Sequence, residues 1–269
     1  MKEALHVRRY VETDDRDLSG LIREVFGENV DEQFLEWKYR KSPGGESLSV
    51  VAEKDGRVIG QVGAIPVRFC VDGNEFVGSQ EIDGCLDKKE GKFDTLFHLV
   101  RLRHKVNEEC GVAFSYFFSV PVSSKIAVKL LKGIKVSSHP GLIKVLDVAP
   151  FLLKRFPVKA LVRLISFFVN IVLRMLYTTR GRIPRGTRLS RIERFDERFD
   201  AFWNRIKGDY PIMAVRDSRY LDWRYAEVPY RDYTILCLEK EESGEILGFV
   251  VLGEKQRDMR VGQILDIVT

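Results

Sequence analysis

The chain has 269 residues, of which 45% are hydrophobic and 31% charged, so it can form one large or two ordinary globular domains. Its net charge of +5 is mildly basic, and most of the chain lacks basic blocks interleaved with aromatic residues, so we expect no nucleic-acid partner. The four cysteines form no CxxC pair, which argues against a zinc site, and we expect no metal. The N-terminus has no apolar stretch typical of a signal peptide, which favours a cytoplasmic location.

The chain begins with a predicted strand and two helices. Leu5–Tyr10 alternates apolar and polar residues, as in a half-buried strand. A helix follows, capped by Thr13 or Asp14 and ended by Gly27. A second helix covers roughly Asp31–Arg40. Together these segments predict a β-α-α beginning.

Three antiparallel strands are predicted next. The last two, Val67–Val71 and Glu75–Ile82, are separated by Asp72-Gly73-Asn74, which is a strong hairpin signal. Helical spacing then marks Thr95–Glu109 and Ser123–Lys132, on either side of an aromatic strand at Gly111–Ser119. The predicted order of the first 140 residues is therefore β-α-α-β-β-β-α-β-α.

The segment Val158–Tyr177 is the most apolar stretch of the chain. Its polar residues recur at spacings of three and four, which places them on one narrow stripe of a helix. Three interpretations remain open: a helix packed between two domains, a helix lying on a membrane surface, and a membrane span. The stripe consists of Lys159, Arg163, Ser166, Asn170 and Arg174.

After an exposed basic linker, the pattern of the first half begins again. The hexamer Phe34-Leu35-Glu36-Trp37-Lys38-Tyr39 is matched in chemistry by Tyr220-Leu221-Asp222-Trp223-Arg224-Tyr225, and the two tryptophans are 186 residues apart. Each hexamer precedes an apolar strand, an acidic turn ending in glycine, and a second apolar strand. A repeat this long indicates two copies of one domain. We predict domains at 1–145 and 187–269, joined by an amphipathic helical linker at 146–186.

The order of elements and their punctuation resemble the GCN5-related N-acetyltransferase (GNAT) superfamily. Three runs carry the resemblance: residues 7–14 at the first strand and helix cap, residues 55–60 at the Asp-Gly turn, and residues 127–134 at the Lys-Gly end of the last helix. The resemblance spans about 1–140 fully and 187–269 as a partial second copy. It implies an α/β (α+β) fold, with a mixed, mainly antiparallel sheet flanked by helices.

The resemblance also implies a site for the pyrophosphate of acetyl-CoA. In this family a glycine-rich turn between a strand and a helix holds the phosphates on backbone N–H groups. The matching stretch has Gly91 at the glycine position, and Phe93 stands where the family has a small residue. The lysines that would add positive charge are Lys88, Lys89 and Lys92.

The strand before this turn would pair with the pantetheine arm through the backbone of Gly84, Cys85 and Leu86, and would polarise the thioester carbonyl. Glu81 or Asp83 on this strand is the expected general base for an amine, directly or through water. Alternation along a strand predicts that both carboxylates lie on the same face.

The family usually takes its general acid from a tyrosine on the helix after the fifth strand, and Ser123–Gly133 contains none. Ser123 is the predicted substrate or cofactor contact on this helix. Tyr116, on the preceding strand, is a weaker substitute for the acid.

The expected activity is transfer of an acetyl group from acetyl-CoA to an amine of a small molecule or peptide. One alternative is a catalytically degenerate GNAT-like scaffold or binding module, and another is a membrane-peripheral protein anchored by 158–177. The second copy stops after the equivalent of the strand that carries Glu81 and Asp83. We therefore expect a fragment, a truncated product, or a second domain completed by a partner.

Overall fold

The computed structural model contains two compact units. One comprises residues 1–118, 189–253 and 264–269, so it contains most of both sequence copies, and the other comprises 119–188 and 254–263. The structure describes residues 5–118, 121–130, 132–137, 142–156, 158–177, 181, 183–256 and 260–269.

The first copy forms the predicted β-α-α-β-β-β-α-β order. Its helices are α1 (Asp15–Phe26), α2 (Glu32–Leu35), which continues as a π-helical turn at Glu36–Arg40, and α3 (Phe93–Glu109). Its strands are β1 (His6–Arg9), β2 (Val50–Lys54), β3 (Arg57–Val71), β4 (Asn74–Leu86) and β5 (Phe114–Tyr116).

The remaining elements follow in chain order. Three helices come first: α4 (Pro121–Leu130), α5 (Ala149–Arg155) and α6 (Lys159–Tyr177). The second copy has the strands β6 (Thr187–Ile192), β7 (Ile212–Ala214), β8 (Thr234–Lys240), β9 (Ile246–Gln256) and β10 (Arg260–Val268). Its helices are α7 (Arg198–Ile206) and α8 (Ser218–Leu221), the latter continuing as a second π-helical turn at Asp222–Ala226.

Among the described residues the strands form two sheets. The first has the order β1-β2-β3-β4-β5, with β7 paired to β3, and the second has the order β10-β9-β8-β6. All described pairings of the first sheet are antiparallel except β4 with β5, which is parallel. The hairpin between β3 and β4 turns at Asp72 and Gly73, whose φ values of +47° and +81° suit the predicted Asp-Gly turn.

Helices cover both faces of the first sheet. Cys85 on β4 packs with Leu21 of α1, whereas a Cβ on Gly60 of β3 would meet the side chains of Leu86 and Leu99, the latter on α3. Because consecutive strand residues point to opposite faces, Cys85 and Leu86 place α1 on one face and α3 on the other.

The two copies meet at their tryptophans. The Nε1–H of Trp37 donates to the backbone oxygen of Trp223 at 2.7 Å, and the Nε1–H of Trp223 donates to the backbone oxygen of Trp37 at 2.8 Å. The two indoles stack with their centroids 5.2 Å apart. The last carbonyls of a helix have no partner within the helix, so each tryptophan satisfies a carbonyl at the end of the other copy's helical turn.

A three-residue strand also joins the copies. β7 pairs with Phe69, Cys70 and Val71 at the end of β3, so a strand of the second copy extends the sheet of the first. β7 is not predictable from the sequence, because three residues are too few to show a period.

Candidate active site

Strand β4 continues far beyond its parallel partner β5. Pairing with β5 is confined to Gly78, Ser79 and Gln80 of β4. In the described part of the chain, no strand pairs with this edge of β4 from Glu81 to Leu86. Unpaired backbone N–H and C=O groups at a sheet edge can bind an extended ligand as if it were another strand. We call this opening, between residues 81–86 and the end of β5, the β4 cleft.

A bulge lies in the middle of the β4 cleft. Ile82 pairs with Gly63 and Cys85 pairs with Gln61, so two residues of β4, Asp83 and Gly84, oppose a single residue of β3. Asp83 has φ +48°, a left-handed conformation that is uncommon outside glycine. Gly84 is exposed, and a Cβ built on it would meet no atom within 4 Å. Such a bulge bends the strand and redirects the residues at its centre.

The bulge separates the two predicted bases. Glu81 pairs with Arg103 of α3 at 3.0 Å, whereas Asp83 faces the π-helical turn after α2, where it pairs with Lys38. The prediction that both carboxylates share one face was wrong, because it assumed regular alternation and the extra residue of the bulge shifts the strand by one position.

Glu81 belongs to a buried brace behind the cleft. The Arg103 side chain is only 2% exposed and also donates to the Ser115 hydroxyl on β5 at 3.0 Å. Burial raises the pKa of Glu81, and the nearby Arg103 cation partly offsets this. Burial also lowers the pKa of Arg103. The pair therefore ties β4, α3 and β5 together where the two strands separate.

Asp83 accepts two strong contacts on one carboxylate oxygen. Lys38 Nζ and the Tyr39 hydroxyl both reach Asp83 Oδ2, the hydroxyl at 2.7 Å. Tyr39 is fully buried and also accepts from Gln61 Nε2 at 2.7 Å. Burial first, and the Asp83 charge second, raise the pKa of Tyr39 well above its usual value, so it remains a hydrogen-bond donor. The Asp83 carboxylate is therefore held in place beside Gly84.

The turn after β4 is organised by Asp87. Its Oδ1 accepts the backbone N–H groups of Lys89 at 2.8 Å and Glu90 at 2.9 Å, and its Oδ2 accepts from Arg57 at 2.8 Å. These backbone donors, that of Glu90 first, lower the pKa of Asp87. The turn closes with a hydrogen bond from the Gly91 N–H to the Asp87 carbonyl at 2.9 Å.

Gly91 is the residue that allows this turn to be so tight. A Cβ at this position would lie 2.5 Å from the Asp87 carbonyl oxygen and 2.6 Å from the Leu86 Cβ. Both atoms belong to the strand end itself, so neither can move aside easily. Glycine is therefore required at position 91, because the backbone of the strand end lies too close to leave room for a side chain.

Helix α3 begins directly after the turn with an open N-terminus. Lys92 is the N-cap residue and makes no side-chain cap hydrogen bond. The first N–H groups of a helix have no intrahelical partner, and together they give the helix N-terminus a positive potential. Phe93 is the first helical residue, and its half-exposed ring packs edge-on against Phe97 at 5.0 Å. Lys88 donates to the Glu24 carbonyl at 2.9 Å, which fixes it against the end of α1.

Tyr116 lies where the strands separate. It pairs with Gln80, the last β4 residue in the parallel register, and its hydroxyl donates to Gln80 Oε1 at 3.3 Å. Burial raises its pKa, so the phenol stays protonated at neutral pH. The side chain of Ser123 lies outside the described part of the structure, so its predicted contact stays a prediction.

Cys85 faces away from the cleft. Its thiol is buried against α1, and burial raises its pKa to about 12, so it remains a neutral packing group. Its backbone and that of Leu86 nonetheless belong to the stretch of β4 that β5 leaves unpaired.

No known protein-family profile and no curated protein matches the sequence. Among solved structures, the Saccharomyces cerevisiae N-myristoyltransferase with bound myristoyl-CoA matches with a TM-score of 0.56 and 11% identity, over 100% of this chain and 63% of that one. A probable N-acyltransferase from Enterococcus faecalis matches with a TM-score of 0.58 and 11% identity, over 93% and 55%. The chain has the GNAT fold. It spans less than two thirds of either matched protein.

The resemblance implied an acyl-CoA site along strand β4 and the turn after it, and that site stays a prediction. Gly84 in the cleft and Gly91 in the turn were expected from the sequence, whereas the side chains around them were not. Lys38 and Arg103 are common residue types in ordinary helices, so no sequence signal distinguished them. The one available signal was Asp87 directly before the turn, since an aspartate there often accepts the next backbone N–H groups.

Proposed function

We propose that this chain is an acyltransferase that binds an acyl-CoA in the β4 cleft and transfers the acyl group to an amine. The observation that carries the proposal is the bulged edge of β4, which β5 leaves unpaired and which leads directly into the open N-terminus of α3. An extended pantetheine arm has amide groups that such an edge can pair, and its pyrophosphate is an anion that a helix N-terminus attracts. One ligand thus satisfies both features.

The contacts of Asp87 support a particular phosphate position. Its carboxylate already occupies the N–H groups of Lys89 and Glu90. The pyrophosphate would therefore be held by the N–H groups at the start of α3, with Lys89 and Lys92 as nearby cations. The negative charge of Asp87, partly neutralised by Arg57, would weaken binding relative to a turn with all of its N–H groups available.

The proposed chemistry is direct attack. The amine nitrogen forms a bond to the thioester carbonyl carbon, the C–S bond breaks, and the amine loses one proton while the CoA sulfur gains one. Asp83, at the bulge, is the proposed proton acceptor through Oδ1, since the described contacts to Lys38 and Tyr39 use Oδ2. The protonated Tyr116 is the proposed donor to the departing sulfur.

The acyl group is proposed to be acetyl, as the sequence resemblance implied. A longer acyl chain is the alternative, because the yeast structure that the chain resembles holds myristoyl-CoA. Thermal-shift titrations with CoA, acetyl-CoA and myristoyl-CoA compare these donors directly. A ligand at about 100 times its Kd should stabilise the folded chain by roughly 2.7 kcal/mol.

A glycine substitution in the cleft makes the titration specific. Gly84→Leu extends a side chain into open space at the bulge, so we expect the fold to survive and the CoA-induced shift to disappear. Gly262→Leu is the matched control, because this strand glycine also has no atom within 4 Å of a built Cβ and lies in β10. An unchanged CoA shift in Gly84→Leu would contradict binding in the cleft.

A second candidate function is a scaffold that binds CoA esters without turnover. Both predicted bases are paired with cations, Glu81 with Arg103 and Asp83 with Lys38, and this favours a structural role for each. Release of the CoA thiol from acetyl-CoA, followed with a thiol reagent across a panel of amines, separates the two functions. Saturable binding with no amine-dependent thiol release would support the scaffold.

A further inference from the structure

Residues 119–188, here called the basic segment, have a charge unlike the rest of the chain. The basic segment has fourteen lysines and arginines and a single acidic residue, Asp147. The remaining residues have 30 cations and 38 anions, because the whole chain has 44 and 39. The net charge of +5 therefore conceals a strongly positive segment within an otherwise acidic protein. Such a segment attracts an anionic surface.

Helix α6, in the basic segment, packs on its own unit through the middle of its polar stripe, at Ser166 and Asn170. The Asn170 side chain donates to Asp147 Oδ1 at 2.7 Å and accepts the N–H of Val148 at 3.0 Å. Ser166, one turn earlier on the same stripe, is 3% exposed, and Val162 beside it is 2% exposed. The described contacts of α6 therefore lie on the side where its polar residues are.

The opposite side of α6 is apolar and exposed. Among the described residues, α6 is the one helix that is long and apolar enough to cross a membrane, judged by length and composition alone. Only 11% of its most apolar stretch is buried. A helix on a water-soluble core has the reverse arrangement, with its apolar stripe inward. This face consists of Leu161, Leu164, Ile165, Phe167, Phe168, Val172, Met175 and Leu176, each more than 40% exposed.

The exposed apolar surface is not limited to α6. Phe151 of α5 is 49% exposed, and Phe156, directly after α5, is 54% exposed. Leu142 and Ile143, before α5, are 94% and 86% exposed. An apolar surface of this extent on one unit marks an interaction site.

We propose that the basic segment binds an anionic lipid surface, with α6 lying in the interface and its apolar face inserted among the acyl chains. Lysines and arginines bordering an apolar helical face are the combination that binds anionic bilayers. The fourteen cations favour an anionic bilayer over a second copy of this chain, because two copies would bring two strongly positive segments together.

The contacts of Asn170 favour a helix that lies on the membrane over one that spans it. Asn170 is in the second half of α6, and its hydrogen bonds tie that part of the helix to Asp147. A spanning helix of about 28 Å, at 1.5 Å per residue, would draw this carboxylate and Arg163 into the hydrocarbon region. A helix lying in the interface leaves them on the aqueous side.

Co-sedimentation of the full chain with vesicles tests the proposal. We expect binding to vesicles of phosphatidylcholine with phosphatidylglycerol, little binding to phosphatidylcholine alone, and weaker binding as salt is raised. The double variant Leu164→Glu with Phe168→Glu places two charges on the exposed apolar face and should reduce the bound fraction by roughly tenfold or more.

The matched control is Phe26→Glu with Phe76→Glu, which changes two half-exposed phenylalanines outside the basic segment and should bind like the parent chain. Absence of binding to anionic vesicles would overturn the proposal, and so would equal binding by the Leu164→Glu, Phe168→Glu variant with its circular dichroism spectrum unchanged. A dimer in sedimentation velocity that this variant abolishes, without vesicle binding, would assign the face to a second copy. None of these outcomes depends on CoA binding.

Discussion

The two copies share a helical turn and a tyrosine–aspartate contact, but they differ at the strand that carries the aspartate. Tyr39 donates to Asp83 at 2.7 Å in the first copy, and Tyr225 donates to Asp266 at 3.0 Å in the second. Asp83 has the left-handed φ of a bulge, whereas Asp266 does not. The shared contact therefore belongs to the fold. The bulge and the β4 cleft beside it are features of the first copy, and this contrast directs the functional proposal to β4.

The charges around the two aspartates also differ. Asp83 pairs with Lys38, the residue directly before Tyr39, whereas Asp266 pairs with Arg216, which precedes α8. The Asp83 side chain is 23% exposed and the Asp266 side chain 9% exposed. The more accessible Asp83 carboxylate is therefore the better placed of the two to exchange a proton with a substrate. Four sets of substitutions test this difference between the copies.

The largest effect is expected at the junction of the copies. Trp37→Ala or Trp223→Ala should each lower the free energy of unfolding by about 3–5 kcal/mol, because a buried indole is lost and the other copy's carbonyl loses its donor. The double variant should cost less than the sum of the two, since each single change already breaks the stack. Chemical denaturation measures all three, and full additivity would show that the tryptophans act independently.

The second-largest effect concerns the Arg103–Glu81 ion pair, which belongs to the first copy and links the strands beside its cleft. Arg103→Leu should cost about 3 kcal/mol, since it leaves Glu81 half-buried without its cation. Adding Glu81→Leu should restore most of that loss. Urea denaturation of the single and double variants checks this, and a double variant as unstable as the single would refute the brace.

A smaller loss of stability is expected when either of the two tyrosines loses its hydroxyl. Tyr39→Phe should cost about 1–3 kcal/mol, because it leaves both Asp83 and the buried Gln61 short of a partner. Tyr225→Phe removes one donor to Asp266, which Arg216 still contacts, so it should cost only about 0.5–1.5 kcal/mol. Equal thermal destabilisation of the two variants would remove this distinction between the copies.

The smallest effect concerns the turn at the end of β4. The folded-state pKa of Asp87 is lowered, so its contribution is complete above the unfolded value of about 3.9 and is lost as pH falls through the folded value. Asp87→Asn should cost about 1 kcal/mol at pH 7, similar to the loss of a helix cap, and the cost should shrink in acid. Unfolding measured at pH 7 and near pH 3 tests this, and a cost independent of pH would argue against the carboxylate.

Much of the fold could be predicted because its signals are local. The repeat around Trp37 and Trp223, the turn at Asp72-Gly73, and the helix ended by Gly27 all follow from residue types at fixed spacing. Within the described part of the aromatic strand predicted at Gly111–Ser119, only Phe114–Tyr116 forms a strand, because aromatic residues mark burial better than they mark strand ends.

The side chains of the cleft were less predictable because they depend on register. A single extra residue at Asp83 and Gly84 reversed the expected relation of Glu81 to Asp83. The partner of Glu81, Arg103, comes from a helix 22 residues later and has no sequence feature that distinguishes it from a surface arginine. The glycines were predictable, since their role requires only the absence of a side chain.

The stacked indoles of Trp37 and Trp223 provide an intrinsic spectroscopic probe of the contact between the two copies. Two chromophores whose centroids are 5.2 Å apart and whose planes are inclined by 22° couple their electronic transitions, which should give the circular dichroism spectrum a paired positive and negative band. Because one indole comes from each copy, the amplitude of that pair follows the association of the copies. Folding of the repeat can therefore be followed in real time without attaching a dye.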